Sequence, residues 1–296
     1  SEPVEDRSQS LTDAEIAYAR IGSLILLRIR PYREKDERYL VFNTGTLTAA
    51  RIDAIGRSCI QLPEDHGIIF PGGYYLQSGE TKRFDLPAEM RDGLRFKRML
   101  RSPNGEDVLY VFYQPGVGHY ALFSYNLIEK SLTTPILCNG YARFEDGRML
   151  VFQAEGPDAT RNHPMQLWQT PYASEEHATA ERSSQSFFAR IGNPELVRGI
   201  AELTAIARAV AEQAPTRNAY DALIRQCGRA LDAYFWLDSD EAGKLSDDVR
   251  AIQDGARNTL DEFEKIESIR RDTRQALDTA ELAQRELMTR IASMLW

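Results

Sequence analysis

The amino-acid sequence predicts an all-β, propeller-like domain of about four blade-like units, followed by an α-helical region ending in a long coiled-coil-like helix. Three observations carry that expectation. A short apolar core ending in phenylalanine recurs as Leu40-Val41-Phe42, Ile68-Ile69-Phe70, Leu109-Tyr110-Val111-Phe112 and Leu150-Val151-Phe152. Its phenylalanines are 28, 42 and 40 residues apart, and periods of about 40 with short strands and Gly-rich turns mark propellers. Residues 102–136 read as strand, turn, strand, turn, strand, which is the form of one blade. After Asn193 the apolar period changes from two to that of a helix. A β-sandwich gives the same alternation of short strands and stays open as an alternative.

The elements follow in order. Residues 1–20 form a polar tail and a short amphipathic helix, expected over 11–20 from Thr12-Asp13 to the stop at Gly22. The β domain occupies 21–172. Its first unit holds strands at 24–30 and 38–43, with 49–55 completing it; Pro31 and Thr44-Gly45 supply the breaks. In the second unit Pro71-Gly72-Gly73 dictates a tight reversal, because glycine takes positive φ without steric penalty. Leu86 to Gly93 and then Leu94 to Arg101 lie between the second and third units, and the third runs through the strands at 108–113 and 120–125, the latter more mixed and expected further out. The fourth runs over 138–172, turning at Glu145-Asp146-Gly147. The Phe-ending strands are nearly continuous in apolar residues, as inner strands buried on both faces should be.

Residues 173–190 are polar and of low complexity, a linker by composition. The helical arm fills 191–296. Asn193 caps its first helix with Pro194 at the first helical position, and Thr216 caps the second. Ser246 caps a third pattern that continues to Trp296 without a further proline. Val249, Ile252, Ala256, Leu260, Phe263, Ile266, Leu277, Ala280, Leu287, Ile291 and Leu295 approximate a coiled-coil seam, interrupted by the polar 270–275. Such a helix covers little surface alone, so the pattern predicts protein partners or self-association, and a piece of a longer protein.

Composition narrows the function. The net charge is −8 with 36 Lys+Arg against 44 Asp+Glu, which argues against a surface that coats nucleic acid. Cys59, Cys138 and Cys227 lie far apart with no CxxC pair, as expected of reduced packed thiols. The longest apolar run, 24–27, is far too short to span a bilayer, so a cytoplasmic location without membrane contact is expected. No GxxxxGK[ST], HExxH or GxSxG motif is present. The sequence therefore offers no catalytic constellation, and no cofactor or metal is expected in this chain.

Two stretches are candidate binding sites. Arg95, Lys97, Arg98 and Arg101 make the best nucleic-acid patch, with Arg95, Lys97 and (after a bend) Arg101 expected on one strand face and Arg28, Arg30 and Arg33 as a further contribution. A solvated outer strand is the competing reading. Glu64, Asp65, His66, Tyr74 and Tyr75 flank the Gly-Gly turn and form a candidate ligand or partner loop. The competing reading is a polar entry loop to a buried strand. His66, His119 and His163 fall in or near turns of different units and could converge on a propeller face as a metal site; chance placement is the competing and favoured reading.

The runs RIDAIG (51–56), QLPEDHGIIFPGGYYLQSGE (61–80), SPNGEDVLYVFY (102–113), GYARFEDGRMLVF (140–152), HPMQLWQTP (163–171) and GNPELVRGI (192–200) carry a resemblance. They resemble the long N-terminal region of large bacterial proteins labelled DNA repair ATPases, over a stretch from Leu11 to about Leu237. The resemblance implies a non-catalytic region whose parent binds ATP and Mg in an AAA-type module toward the C-terminus. On that basis the expected role is a scaffold or interaction region, and the alternative is a direct DNA-binding module of the same ATPase.

Overall fold

The computed structural model describes residues 13–32, 34–153, 164–181, 186–212 and 216–294. Among them, sixteen short strands form four antiparallel sheets, taken in chain order. The first contains β1 (Glu15–Ile21), β2 (Leu24–Arg30), β3 (Arg38–Asn43) and β4 (Thr48–Arg51). The second contains β5 (Ile60–Gln61), β6 (Gly67–Phe70), β7 (Gly73–Leu76) and β8 (Thr81–Arg83). A helical turn, α1 (Ala88–Arg91), precedes the third, built of β9 (Arg95–Arg101), β10 (Asp107–Gln114), β11 (His119–Asn126), β12 (Ser131–Leu132) and β13 (Ile136–Cys138). Its order is β12-β11-β10-β9, with β13 also on β11. The fourth holds β14 (Gly140–Arg143), β15 (Arg148–Phe152) and β16 (Met165–Gln169).

Side-chain alternation joins one sheet to the next. In β6 and β7, Ile68, Phe70 and Tyr75 enter a cluster with Leu24 and Val41 of the first sheet. Their neighbours Ile69, Tyr74 and Leu76 point the other way, into a cluster with Tyr110, Phe112, Phe123 and Tyr125 of the third. Leu109, Val111 and Leu122 then meet Met149 and Val151 of the fourth. Period-two strands deliver apolar groups to both faces only if both faces are covered. That condition is what the Val/Ile/Leu/Phe/Tyr-rich runs of β6 and β10 encode. The Phe-ending cores lie in β3, β6, β10 and β15, each paired with strands on both sides. The observed architecture is thus small antiparallel sheets followed by helices.

Local chemistry sets the corners. Pro71 and Gly72 alone connect β6 to β7, with Phe70 opposite Gly73 and Gly72 at φ 85°. That is the Pro-then-Gly arrangement of a tight turn. Gly67, at φ 149°, faces the backbone of β7: a Cβ there would lie 2.1 Å from the Tyr75 carbonyl oxygen. No other residue fits.

Several expectations are corrected. The segment expected as a helix over 11–20 is, where described, the strand β1, paired with β2 from Glu15↔Arg30 to Ile21↔Leu24. Ile16, Tyr18 and Arg20 alternate with Ala17, Ala19 and Ile21, and the two-residue Gly22-Ser23 link (Gly22 φ 56°) closes a hairpin. Pairing outweighs a modest helical propensity. β11, expected further out, lies inside its sheet with Ala121, Leu122, Phe123 and Tyr125 buried. β16 by contrast is exposed along its length. The low-complexity segment 173–190 contains helix α2 (Glu175–Glu181) and most of α3 (Phe187–Ile191). Ser174 accepts from His177 N (3.1 Å) and Ser186 from Ala189 N (3.2 Å), so serines counted as linker composition act as helix caps.

The chain divides into two compact units, 1–198 and 199–296, the division falling within helix α4 (Asn193–Glu212). In the second unit α5 (Arg217–Ala233) begins at Thr216, whose hydroxyl accepts from Ala219 N (3.2 Å). It runs antiparallel to α6 (Leu245–Met294), a helix of 50 residues and about 75 Å. Gln253 donates to the Ile224 carbonyl (3.0 Å), Tyr220 lies 6.0 Å from Phe263, and Arg217 pairs with Glu264 (2.6 Å). Ser246 is not the cap: α6 starts one residue earlier and the Ser246 hydroxyl donates to Asp238 (2.7 Å). No described helix is long and apolar enough to cross a membrane.

Candidate functional site

The basic strand β9 is built differently from its sequence expectation. Its pairing to β10 runs Arg101↔Val108 to Arg98↔Val111, then resumes at Phe96↔Phe112, so Lys97 is the extra residue of a β-bulge. Partners across a ladder share a face. Arg95 and Arg98 therefore lie with Tyr113 and Val111, whereas Arg101 lies with Val108 on the opposite face. Arg95, Lys97 and Arg101 do not form one row. Instead Lys97 sits over the rings of Tyr113 (4.9 Å) and Tyr120 (4.7 Å) and donates to the Tyr120 hydroxyl (2.9 Å). Arg98 lies over Tyr141 (5.4 Å) and donates to its hydroxyl (2.8 Å). The result is a ladder of cations on tyrosines along the edge between the third and fourth sheets, each such contact worth about 0.5–1 kcal/mol at an exposed site. Arg28 and Arg30 pair with Glu37 (3.6 Å) and Glu15 (2.5 Å); Arg33 lies outside the described residues.

The loop before β6 separates into two kinds of residue. Tyr74 and Tyr75 are buried, on opposite faces of β7, in two different cores. Burial first, and the bond to Glu80 second, pushes the Tyr74 hydroxyl up to about 12. Neither ring is presented to a ligand. His66 shares a 2.8 Å hydrogen bond through Nδ1 with the Tyr125 hydroxyl. Burial, with Lys130 adding to it, pulls its imidazole down to about 4, so it is neutral at pH 7. His163 lies outside the described residues, and among the described residues no cluster of His, Cys, Asp and Glu could hold a metal ion.

Glu64 and Asp65 remain exposed. Both hold left-handed backbone (φ 52° and 55°), a conformation that costs a non-glycine residue of order 1 kcal/mol. Gln61 donates to Asp65, and Arg198 reaches Glu64 at 3.1 Å. They border a cleft of about 430 Å³ lined also by Met99, Arg101 and Tyr110. The Tyr110 hydroxyl is fully buried there with no hydrogen-bond partner. The structure thus brings Arg101 to the acidic loop rather than to Arg95.

A second cleft, of about 450 Å³, is lined by four arginines, Arg51, Arg57, Arg83 and Arg91, over Ile52, Phe70, Phe84 and Leu86. Arg51 is paired with Asp53 (2.9 Å) and Arg57 with Asp92 (2.5 Å). Arg83 donates to the Arg51 carbonyl (2.8 Å) and Arg91 to that of Leu86 (3.3 Å), and the carboxylates of Asp53 and Asp85 line the same cleft. Sequence reasoning missed this group because the four residues come from four separate segments. The one available signal was arginine at the end of short strands and turns.

A comparison with curated proteins finds no match. A family described as "ATPase involved in DNA repair" matches residues 1–235, which takes in all four sheets and the helices through α5. The chain belongs to that family.

Proposed function

We propose that this chain is a non-catalytic scaffold and interaction region of a large bacterial, cytoplasmic AAA-type ATPase. The observation that carries the reading is the chain of three apolar clusters, each joining one small sheet to the next. Interior strands buried from both sides, with exposed edges such as β1 and β16, support a blade-on-blade stack of the propeller type. Such a stack is a rigid support that presents loops and edges to partners. ATP and Mg belong to an AAA module outside this chain; protein partners and self-association belong to the helical arm. Purified chain should neither turn over nor retain MgATP, and should co-purify with the separately expressed AAA module. ATP turnover by the chain alone would overturn the reading.

A second reading, direct contact with DNA, is favoured by the four-arginine cleft rather than by β9. Guanidiniums held by backbone carbonyls suit phosphate oxygens. Fluorescence anisotropy of single- and double-stranded DNA over a salt series separates the two. Micromolar binding that falls steeply with salt, and that Arg83→Glu with Arg91→Glu abolishes, establishes phosphate contact. Absence of binding at low salt leaves the scaffold reading alone.

A further inference from the structure

The packing of α6 stops where its pattern does not. Between Ser246 and Phe263 the side chains turned inward recur at 246, 249, 252–253, 256, 259–260 and 263, which is the face that α5 covers. From Glu264 to Ile291 every side chain is exposed. The heptad positions nevertheless continue without a break as Ile266, Arg270, Thr273, Leu277, Ala280, Gln284, Leu287 and Ile291. Ile266, Leu277, Leu287 and Ile291 are between 45 and 60% exposed. At the junction Arg217, at the start of α5, clasps Glu264 (2.6 Å) and Glu267 (3.6 Å). A covered helix–helix seam therefore passes directly into an uncovered one on the same face.

We propose that residues 266–291 of α6 pair, antiparallel, with the same residues of a second copy of this chain. The proposal rests on the reading of the arm as an assembly element and adds its partner, direction and register. Self-complementarity carries it. In the antiparallel register centred between Leu277 and Ala280, Ile266 meets Ile291 of the second copy and Thr273 meets Gln284 of the second copy. Apolar thus packs on apolar, and polar finds polar. Leu277 faces Ala280 of the second copy, where the small side chains of Ala276, Ala280 and Ala283 leave a shallow hollow along the helix. Arg274, beside the seam, comes opposite Glu281 of the second copy, and the two-fold axis makes that pair twice. Within one copy Glu281 pairs with Arg285 at 3.7 Å, a surface contact of little strength. Arg270 lies against Leu287 of the second copy, its aliphatic stem covering the leucine while the guanidinium reaches water. A parallel, in-register pair would instead set Arg270 on Arg270, Gln284 on Gln284 and Thr273 on Thr273. Like charges meeting in a seam specify against that arrangement. The antiparallel mode is also the one α5 already uses on the same face.

The test is sedimentation of the whole 296-residue chain, with cysteine cross-linking. We expect a dimer, weakened about tenfold by Arg274→Glu and restored by Arg274→Glu combined with Glu281→Arg, since two exposed pairs change sign together. Both substitutions are on exposed helix surface, and unchanged helicity verifies that the arm still forms. Under mild oxidation the pair Thr273→Cys and Gln284→Cys, on separate copies, should cross-link, and Thr273→Cys alone should not. A monomer at every concentration overturns the proposal, as does a dimer insensitive to both charge variants. Efficient cross-linking of Thr273→Cys with itself overturns the antiparallel direction. Capture of a different helix in place of a second copy overturns the partner. None of these outcomes alters co-purification with the AAA module, so the scaffold reading fails or stands separately.

Discussion

The β unit and the helical arm spend the same kind of residue in opposite ways. Phe112 in β10 is fully buried, packed edge-on against Phe96 (5.9 Å) and Phe123 (5.6 Å). Leu277 in α6 is 60% exposed although it sits on a regular apolar stripe. A strand between two covered faces finishes its own burial, because alternate residues meet alternate neighbours. A single long helix has one stripe and cannot fold back on itself, so its stripe waits for another helix. The β unit is therefore closed around its own core, whereas the distal half of α6 keeps its apolar stripe exposed.

The largest effect that would sharpen the contrast is Phe112→Ala. Truncating a ring in a closed core should lower the stability of the β unit by about 3–5 kcal/mol, read as a shifted denaturant midpoint of sheet signals. If helical signals fell in step, the two bodies would not be independent in stability. Next, Gly67→Ala should cost more than about 2 kcal/mol, because a Cβ would strike the β7 backbone. A neutral result would mean that β6 and β7 can part without harm.

The pH dependence comes third. His66 titrates near 4 in the fold against an ordinary 6.5, so the unfolded chain binds its proton first. Its contribution is fully present above about pH 6.5, falls as pH drops through the window from 6.5 to 4, and then levels. The loss should be up to about 3 kcal/mol, carried by the β unit and flattened by His66→Gln in an acid titration of stability. The arm should show no such step of its own. Smaller still, Arg217→Ala removes exposed ion pairs and should cost about 0.5 kcal/mol in thermal melts. Leu277→Ala should change the stability of the isolated arm by no more than about 0.5 kcal/mol while weakening its association.

Much of this is legible in the amino-acid sequence. The four Phe-ending runs lie on interior strands, Pro71-Gly72 makes the predicted reversal, and Thr216 caps α5. The readable features are those fixed by local chemistry or by strict period. What misled was local sequence whose meaning depends on a distant neighbour. Glu15–Ile21 satisfies a short helix as well as a strand until β2 lies beside it. Ser174 and Ser186 look like linker residues until each is seen to cap a helix. Arg95 and Arg101 seem to share a face because counting by two assumes no bulge at Lys97. The candidate loop suffered likewise: Tyr74 and Tyr75 invite a ligand in sequence and fill two cores in space.

The sequence by itself determined that β6 and β10 are strands with two covered faces, that the chain reverses at Pro71-Gly72, and that α6 carries an apolar stripe longer than α5 can cover. Periodicity and turn chemistry act over a few residues, so they can be read in one dimension. Only the tertiary structure decided which way each apolar side chain faces, which cations end on tyrosine rings, and that four scattered arginines line one cleft. Those are questions of register and of meetings between residues far apart in the chain. Hydrogen-bonded pairing and the exclusion of water from both faces of a sheet answer them, and neither is expressed until the chain is folded.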